Sequence, residues 1–456
     1  MTFEARTIGI LKNALKEMER GFQHLPAFES TFDEEGVEKV LMEVARRMGD
    51  NYPYHHPLYA GQMIKPPHPV AKAAYMLAMW INPNNHALDG GKASSAMEKE
   101  AVAALANMFG WKEHIGHLTS GGTVANLEAL WIGSRLSPGK MVLASDQAHY
   151  THSRLSDVLG LKFESVPSDD ELRMDVDALR RIVAKGDVGL VVATIGTTGV
   201  GTVDPLPEIL ELGQEHGFWV HADAAYGGYF TLAGNLSPRT GQALGSLSEV
   251  DSLVVDPHKH GLQPYGCGCV LFHDPSVGRL YKHDSPYTYF TSRELHLGEI
   301  SLECSRAGAS AVALWATQRV LPMERGGEFA GGLEKGRDAA LILYDKVSRD
   351  SRFLTVLPPE LDILVFGMNG PSASQISERS ERLFEAAERR GLFLAKFRLP
   401  SGKLRRRWKD VDFDRDDLVL LRSCLMKPAH LDWADRIWTI LDDAAREVLV
   451  DQTLQY

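Results

Sequence analysis

At 456 residues the chain is long enough to bury a large core and to divide into more than one lobe. Its 60 acidic residues outnumber 49 basic ones, and a net charge of -11 argues against a protein that grips nucleic acid through clustered Lys and Arg. The start, Met1-Thr2-Phe3-Glu4-Ala5-Arg6, lacks the charged-then-apolar pattern of a secretory signal, and no run approaches about 18 uninterrupted apolar residues, so a cytoplasmic chain with no membrane segment is expected.

From Thr2 to about Arg47 the apolar spacing is helical, until Asn51-Tyr52-Pro53-Tyr54-His55-His56-Pro57 interrupts it with turn-prone residues. Residues 1–66 are read as an N-terminal helical arm and loop. Amphipathic segments then alternate with short apolar runs: Val70–Ile81, Ala96–Phe109, Val176–Lys185 and Leu206–His216 read as helices. Met141–Ala144, Leu190–Thr194, Phe218–Ala222, Ser252–Val255 and Cys269–Phe272 read as strands buried on both faces. This alternation predicts an α/β fold over residues 67–328, a mostly parallel sheet covered by helices, with the last two strands as an antiparallel edge pair. Gly326-Gly327 and Gly331-Gly332 interrupt a helical region, after which Leu361–Phe366 and Leu418–Arg422 read as strands of a smaller C-terminal α+β domain, residues 329–456. The basic run Arg405-Arg406-Arg407 reads as a solvated loop. Cys267, Cys269, Cys304 and Cys424 have neither a disulfide framework nor zinc-knuckle spacing, so reduced thiols and no metal site are expected.

Three loops carry residue types that make joint sense around a phosphorylated, cationic aromatic ring. Thr119-Ser120-Gly121-Gly122-Thr123-Val124-Ala125-Asn126 opens a helix, where small residues let backbone amides approach an anion; the same residues also cap ordinary helices. His221-Ala222-Asp223-Ala224-Ala225-Tyr226 ends an apolar strand, where a carboxylate needs a partner that a protonated ring nitrogen would supply. Val254-Val255-Asp256-Pro257-His258-Lys259-His260-Gly261 ends another, and burial there would lower the pKa of Lys259 and permit Schiff-base chemistry.

Taken in order, Thr119–Thr123, Asp146-Gln147-Ala148-His149-Tyr150, Gly196-Thr197-Thr198-Gly199, His221–Gly228, Asp256–Lys259 and Cys304-Ser305-Arg306-Ala307-Gly308 resemble the group II pyridoxal-phosphate decarboxylases of fold type I. Members of that family act on aromatic amino acids, glutamate or aspartate, and sphingosine-phosphate lyases share much of the pattern. The resemblance spans roughly residues 50 to 440. It implies pyridoxal 5′-phosphate held by Lys259 as an internal aldimine, with Asp223 on the pyridine nitrogen, His149 stacked on the ring and Ala225 beneath it. It places Thr198 near the ring hydroxyl and Gly121, Gly122, Thr123 and His258 around the phosphate, with Ser305 reaching the phosphate of a homodimer partner. Asp256 stands where several relatives have a neutral Asn or Ser, so its carboxylate must point away or be offset.

The resemblance implies decarboxylation of an L-amino acid to the amine and CO2 through a quinonoid stabilised by Asp223. Tyr289, chosen over Tyr287 in a segment resembling a mobile catalytic loop, would protonate Cα, and Arg422 would meet the substrate carboxylate. Tyr52, Tyr54, Tyr59 and Trp80 suggest a pocket for an aromatic side chain. An aldehyde synthase or a carbon–carbon lyase acting on a phosphorylated amino alcohol is the nearest rival; the loop tyrosines favour the amine, and intact Lys259, Asp223 and His149 argue against a non-catalytic binding protein.

Overall fold

The computed structural model describes residues 5–27, 31–281 and 296–453. The apolar runs form the centre of a seven-stranded sheet. In chain order its strands are β1 (Ile115–Thr119), β2 (Met141–Ser145), β3 (Phe163–Val166), β4 (Val188–Thr194), β5 (Trp219–Asp223), β6 (Ser252–Val255) and β7 (Gly268–Phe272), arranged β1-β7-β6-β5-β4-β2-β3. The stretch from β6 to β3 is parallel, and β7 pairs antiparallel with both β6 and β1.

Side chains alternate across the sheet, so each run feeds two apolar layers. Val142, Ala144, Leu190 and Val192 pack with Leu130 of the helix Gly122–Leu136, whose Ala125, Ala129 and Ile132 meet Val254, Val270 and Phe272. On the other face, Leu143, Val191, Ala193, Val220, Ala222 and Leu253 join Leu179, Leu206 and Ile209 of the helices Val176–Val183 and Leu206–His216. Local signals set the ends of those helices: Asp175 accepts the Ala178 amide, and Gly217 closes the second with a left-handed φ of 72°.

A second sheet is wholly antiparallel, with β8 (Phe353–Thr355), β9 (Ile363–Met368), β10 (Ala395–Pro400) and β11 (Asp417–Cys424) in the order β10-β11-β9-β8. Helices Glu328–Ser348 and Ala373–Arg389 pack on it, and His430–Thr453 packs against those two helices. The N-terminal run, read as one helical stretch, is two helices, Ala5–Arg20 and Glu34–Met48. The second begins at an Asp33 cap and buries no side chain.

The pair β6–β7 is antiparallel as expected, but it is not an edge. Strand β1 adds outside β7 from Ile115↔Phe272 to Thr119↔Gly268. A Cβ at Gly116 would lie 2.4 Å from the Val270 carbonyl, so the glycine that hid this strand from an apolar-run reading is what lets it approach.

Behind β1 lies a buried polar network. Glu98, 1% exposed, accepts from Arg306 Nη1 (2.6 Å), Asn85 Nδ2 (2.6 Å) and the Leu118 amide (3.0 Å). It ties the segment around Arg306 to the strand that leads into Ser120 and Gly121. Glu98→Ala would strand the Arg306 guanidinium without its counter-charge, so a loss of about 3–5 kcal/mol in unfolding free energy is expected in denaturant titration.

Candidate active site

Parallel strands deliver their ends to one side of the sheet, and the loops after β1, β2, β4, β5 and β6 meet there around a cavity of about 280 Å3. Gly121, Gly122, Thr123, His149, Thr198, Asp223, Ala225, His258 and Lys259 all share its wall. The sequence separations that hid their proximity are closed by the sheet order.

The glycines of the first loop permit close approach. Gly121 has φ of +152°, and a Cβ on Gly122 would fall 2.6 Å from Asp256 Oδ2. A Cβ on Gly268 would fall 2.5 Å from the Gly121 carbonyl carbon. The helix Gly122–Leu136 begins here with no side-chain cap, so its first amides and its positive dipole end are presented to the cavity.

Asp223, at the end of β5, is 5% exposed. Burial alone would raise its pKa, but a hydrogen bond to His152 Nε2 (2.8 Å) and the nearby charge of Lys259 hold it well below the usual carboxylate range. The Ala225 amide donates to its other oxygen at 3.2 Å. Two residues earlier on β5, His221 bridges Asn126 Oδ1 and Ser252 Oγ, each at 2.9 Å, and burial pushes it down to about 3, leaving it neutral. His149 is also pushed down, chiefly by burial, and its Nδ1 lies 2.9 Å from Thr151 Oγ1.

Lys259 departs from expectation. Burial does lower its pKa, but Asp256, with Oδ2 3.0 Å from Nζ, and Asp223 outweigh it, so the net shift is upward. The fold thus holds an ammonium where a depressed amine was expected. Of the two options for Asp256, offsetting is the one realised: the carboxylate faces Lys259, with His258 Nε2 at 3.6 Å, while Oδ1 has no hydrogen-bond partner among the described residues.

Other expected residues lie elsewhere. Ser305 accepts a hydrogen bond from Asn84 Nδ2 at 3.1 Å and is not part of the cavity wall. Arg422, on β11, stands behind that wall, donating to the Thr198 carbonyl (2.6 Å) and to Gln62 Oε1 (3.0 Å), while its Nε has no partner among the described residues. Tyr287 and Tyr289 lie outside the described residues. Tyr52, Tyr54, Tyr59 and Trp80 are not part of the cavity wall among the described residues. The three tyrosines pack against one another with ring centroids 4.9–6.3 Å apart, with Phe393 beside them, and Trp80 is 59% exposed. His152 was missed by the sequence reading; its only signal is a second histidine three residues after His149.

A helix start suited to an anion, a buried anionic carboxylate suited to a protonated ring nitrogen, and a lysine amine suited to an aldehyde thus surround one cavity. A family model described as the pyridoxal-dependent decarboxylase conserved domain matches residues 134–369. The chain is 28% identical over 333 residues to a probable L-tyrosine/L-aspartate decarboxylase of Methanothermobacter thermautotrophicus, covering 71% of this chain and 86% of that one. It is 27% identical over 365 residues to the L-aspartate decarboxylase of Thermococcus kodakarensis, covering 79% and 90% respectively. Its fold is similar to the crystal structure of Oryza sativa TDC with PLP and tryptamine, with a TM-score of 0.78 at 18% identity over 98% of this chain and 99% of that one.

Pyridoxal phosphate carries the three groups that the cavity suits. Asp256→Asn would remove the counter-charge and let burial lower the Lys259 pKa. The pH midpoint for reaction of the apoprotein with pyridoxal phosphate, followed by growth of visible absorbance, should fall by about one unit or more.

Proposed function

This chain belongs to the pyridoxal-dependent decarboxylase family, and we propose that it converts an L-amino acid to its amine and CO2, with L-tyrosine and L-aspartate as the first candidates. The observation that carries the proposal is the presence of Lys259, Asp223 and His149 on one cavity wall beside an uncapped helix start. When bound, the cofactor supplies an electron-withdrawing ring conjugated to the substrate's α-carbon.

The chain's own residues then divide the work. Gly121, Gly122, Thr123 and His258 hold the phosphate, using backbone amides and the helix dipole. Asp223 keeps a proton on the ring nitrogen, which favours the transition state over the ground state because negative charge develops only as CO2 departs. His149, held by Thr151, would pack on one face of a bound ring and Ala225 on the other, with Thr198 near its hydroxyl; all three line the cavity. Lys259 would hold the cofactor's aldehyde through its amine, which sits on the cavity wall within reach of an incoming substrate amine. Arg422 is assigned to the substrate carboxylate by the family resemblance; in the structure it braces the cavity wall from behind through the Thr198 carbonyl. Tyr289 delivers a proton to Cα.

The working unit is a homodimer in which Ser305 serves the partner's phosphate. Support comes from the helix Glu34–Met48, which leaves Val37, Val40, Leu41, Met42, Val44 and Met48 exposed. Dimer mass in light scattering, lost on deletion of the arm, is the expected result.

Lys259→Ala should abolish both the visible cofactor band and turnover; retained turnover would refute the assignment. Asp223→Ala should bind cofactor yet lose about 10^3-fold or more in kcat, in line with removing a group that acts on transition-state charge. Incubating holoprotein with L-tyrosine and L-aspartate and weighing products by mass spectrometry separates amine from aldehyde and one substrate from the other.

A further inference from the structure

Asp223 has two donors: His152 Nε2 on Oδ2 at 2.8 Å and the Ala225 amide on Oδ1 at 3.2 Å. An ionised carboxylate only accepts, so His152 Nε2 carries the shared hydrogen. His152 Nδ1 has no hydrogen-bond partner among the described residues, and the side chain is 1% exposed. His152 sits in the first turn of the helix Thr151–Val158 and is not part of the cavity wall, so it reaches a bound ring only through Asp223.

The terminal torsion of an aspartate is broad and soft. The Ala225 amide restrains one oxygen, and without a second donor the carboxylate can swing away from the ring. Burial also favours its neutral form, which would donate a hydrogen bond where the ring nitrogen needs an acceptor. We propose that His152 is a positioning residue whose Nε2–H fixes the rotation of the Asp223 carboxylate and keeps it anionic, so that the cofactor's ring nitrogen stays protonated. This rests on the pairing of Asp223 with that nitrogen. Lys259, His221 and His149, the other titratable groups acting on Asp223, are unchanged in the variants below.

The test is a titration of apoprotein with pyridoxal phosphate across pH, comparing wild type, H152F and H152Q. Loss of positive charge from the ring lets the nitrogen joining Lys259 to the cofactor keep its proton longer. In H152F the pH midpoint of the visible band should therefore rise by about one unit, and cofactor affinity should fall about tenfold. H152Q, which keeps an N–H at similar reach, should bring the midpoint back to within about half a unit and the affinity to within about threefold of wild type. A folded H152F with wild-type midpoint and affinity would overturn the proposal, as would a change that H152Q shares in full, which marks a packing role. If H152F does not fold, the wild-type protein decides. A hydrogen-bonded imidazole N–H resonance, assigned through its loss in H152Q, should move on cofactor binding, and a resonance indifferent to cofactor would overturn the idea. Asp223→Ala separates the levels: normal behaviour there removes the premise, whereas a damaged Asp223→Ala beside a normal H152F removes only the part given to His152.

Discussion

A carboxylate buried at the end of a strand is tolerable only if the fold surrounds it with donors and positive charge, and Asp223 imposes that requirement on the rest of the site. Its needs are met by His152 from the helix after β2, by the Ala225 amide in its own loop and by the charge of Lys259 from the turn after β6. Each contributor comes from a different connection between strands of the large sheet. The architecture is therefore the means by which one anion is held ready, and the cavity is the space left in front of it.

Electrostatic balance inside the cavity explains why Lys259 does not behave as an isolated buried amine. Two carboxylates, Asp223 and Asp256, act on it, and together they outweigh desolvation. The histidines contribute little countercharge, because burial pushes His149, His221 and His258 downward. Without cofactor, the lysine is the counter-ion of Asp256. An arriving phosphate would face that carboxylate across Gly122, at a helix start whose dipole favours anions. Asp256 thus stands between the lysine and the helix start, close to both.

Buried contacts also join the two sheets at the cavity's rear. Tyr226, on the cavity wall, donates to Asp362 beside β9 at 2.6 Å, and Arg422 of β11 donates to Thr198 at the same distance. Arg173 pairs with Glu360 at 2.7 Å. Burial pushes Asp362 up and Lys65, its neighbour, down, so this rear cluster is held by partner geometry rather than by solvent. A shift of the small sheet would move Thr198 and Tyr226, and with them the wall that the cofactor meets.

The sequence by itself determined the strands at the heart of the large sheet, because a run such as Leu190–Thr194, apolar on both faces, has nowhere to go but between two layers. It also singled out the loops that meet at the cavity, since a lysine, an aspartate and paired glycines stand at strand ends and a helix start. Strands β1, β3 and β10 were not legible: Gly116 and His117, Glu164 and Ser165, and Lys396 and Arg398 break the apolar run, as edge strands with one free side allow. Tertiary structure alone decided the pairings. His152 and Asp223 are 71 residues apart, and no periodicity relates them. The direction of the Lys259 shift likewise depended on where the Asp256 carboxylate turned, and the tyrosines near residue 54 proved to pack with Phe393. Residue type announces which chemistry is available, but distances across a folded sheet select which groups act on each other, because electrostatic and hydrogen-bond energies fall off within a few ångströms.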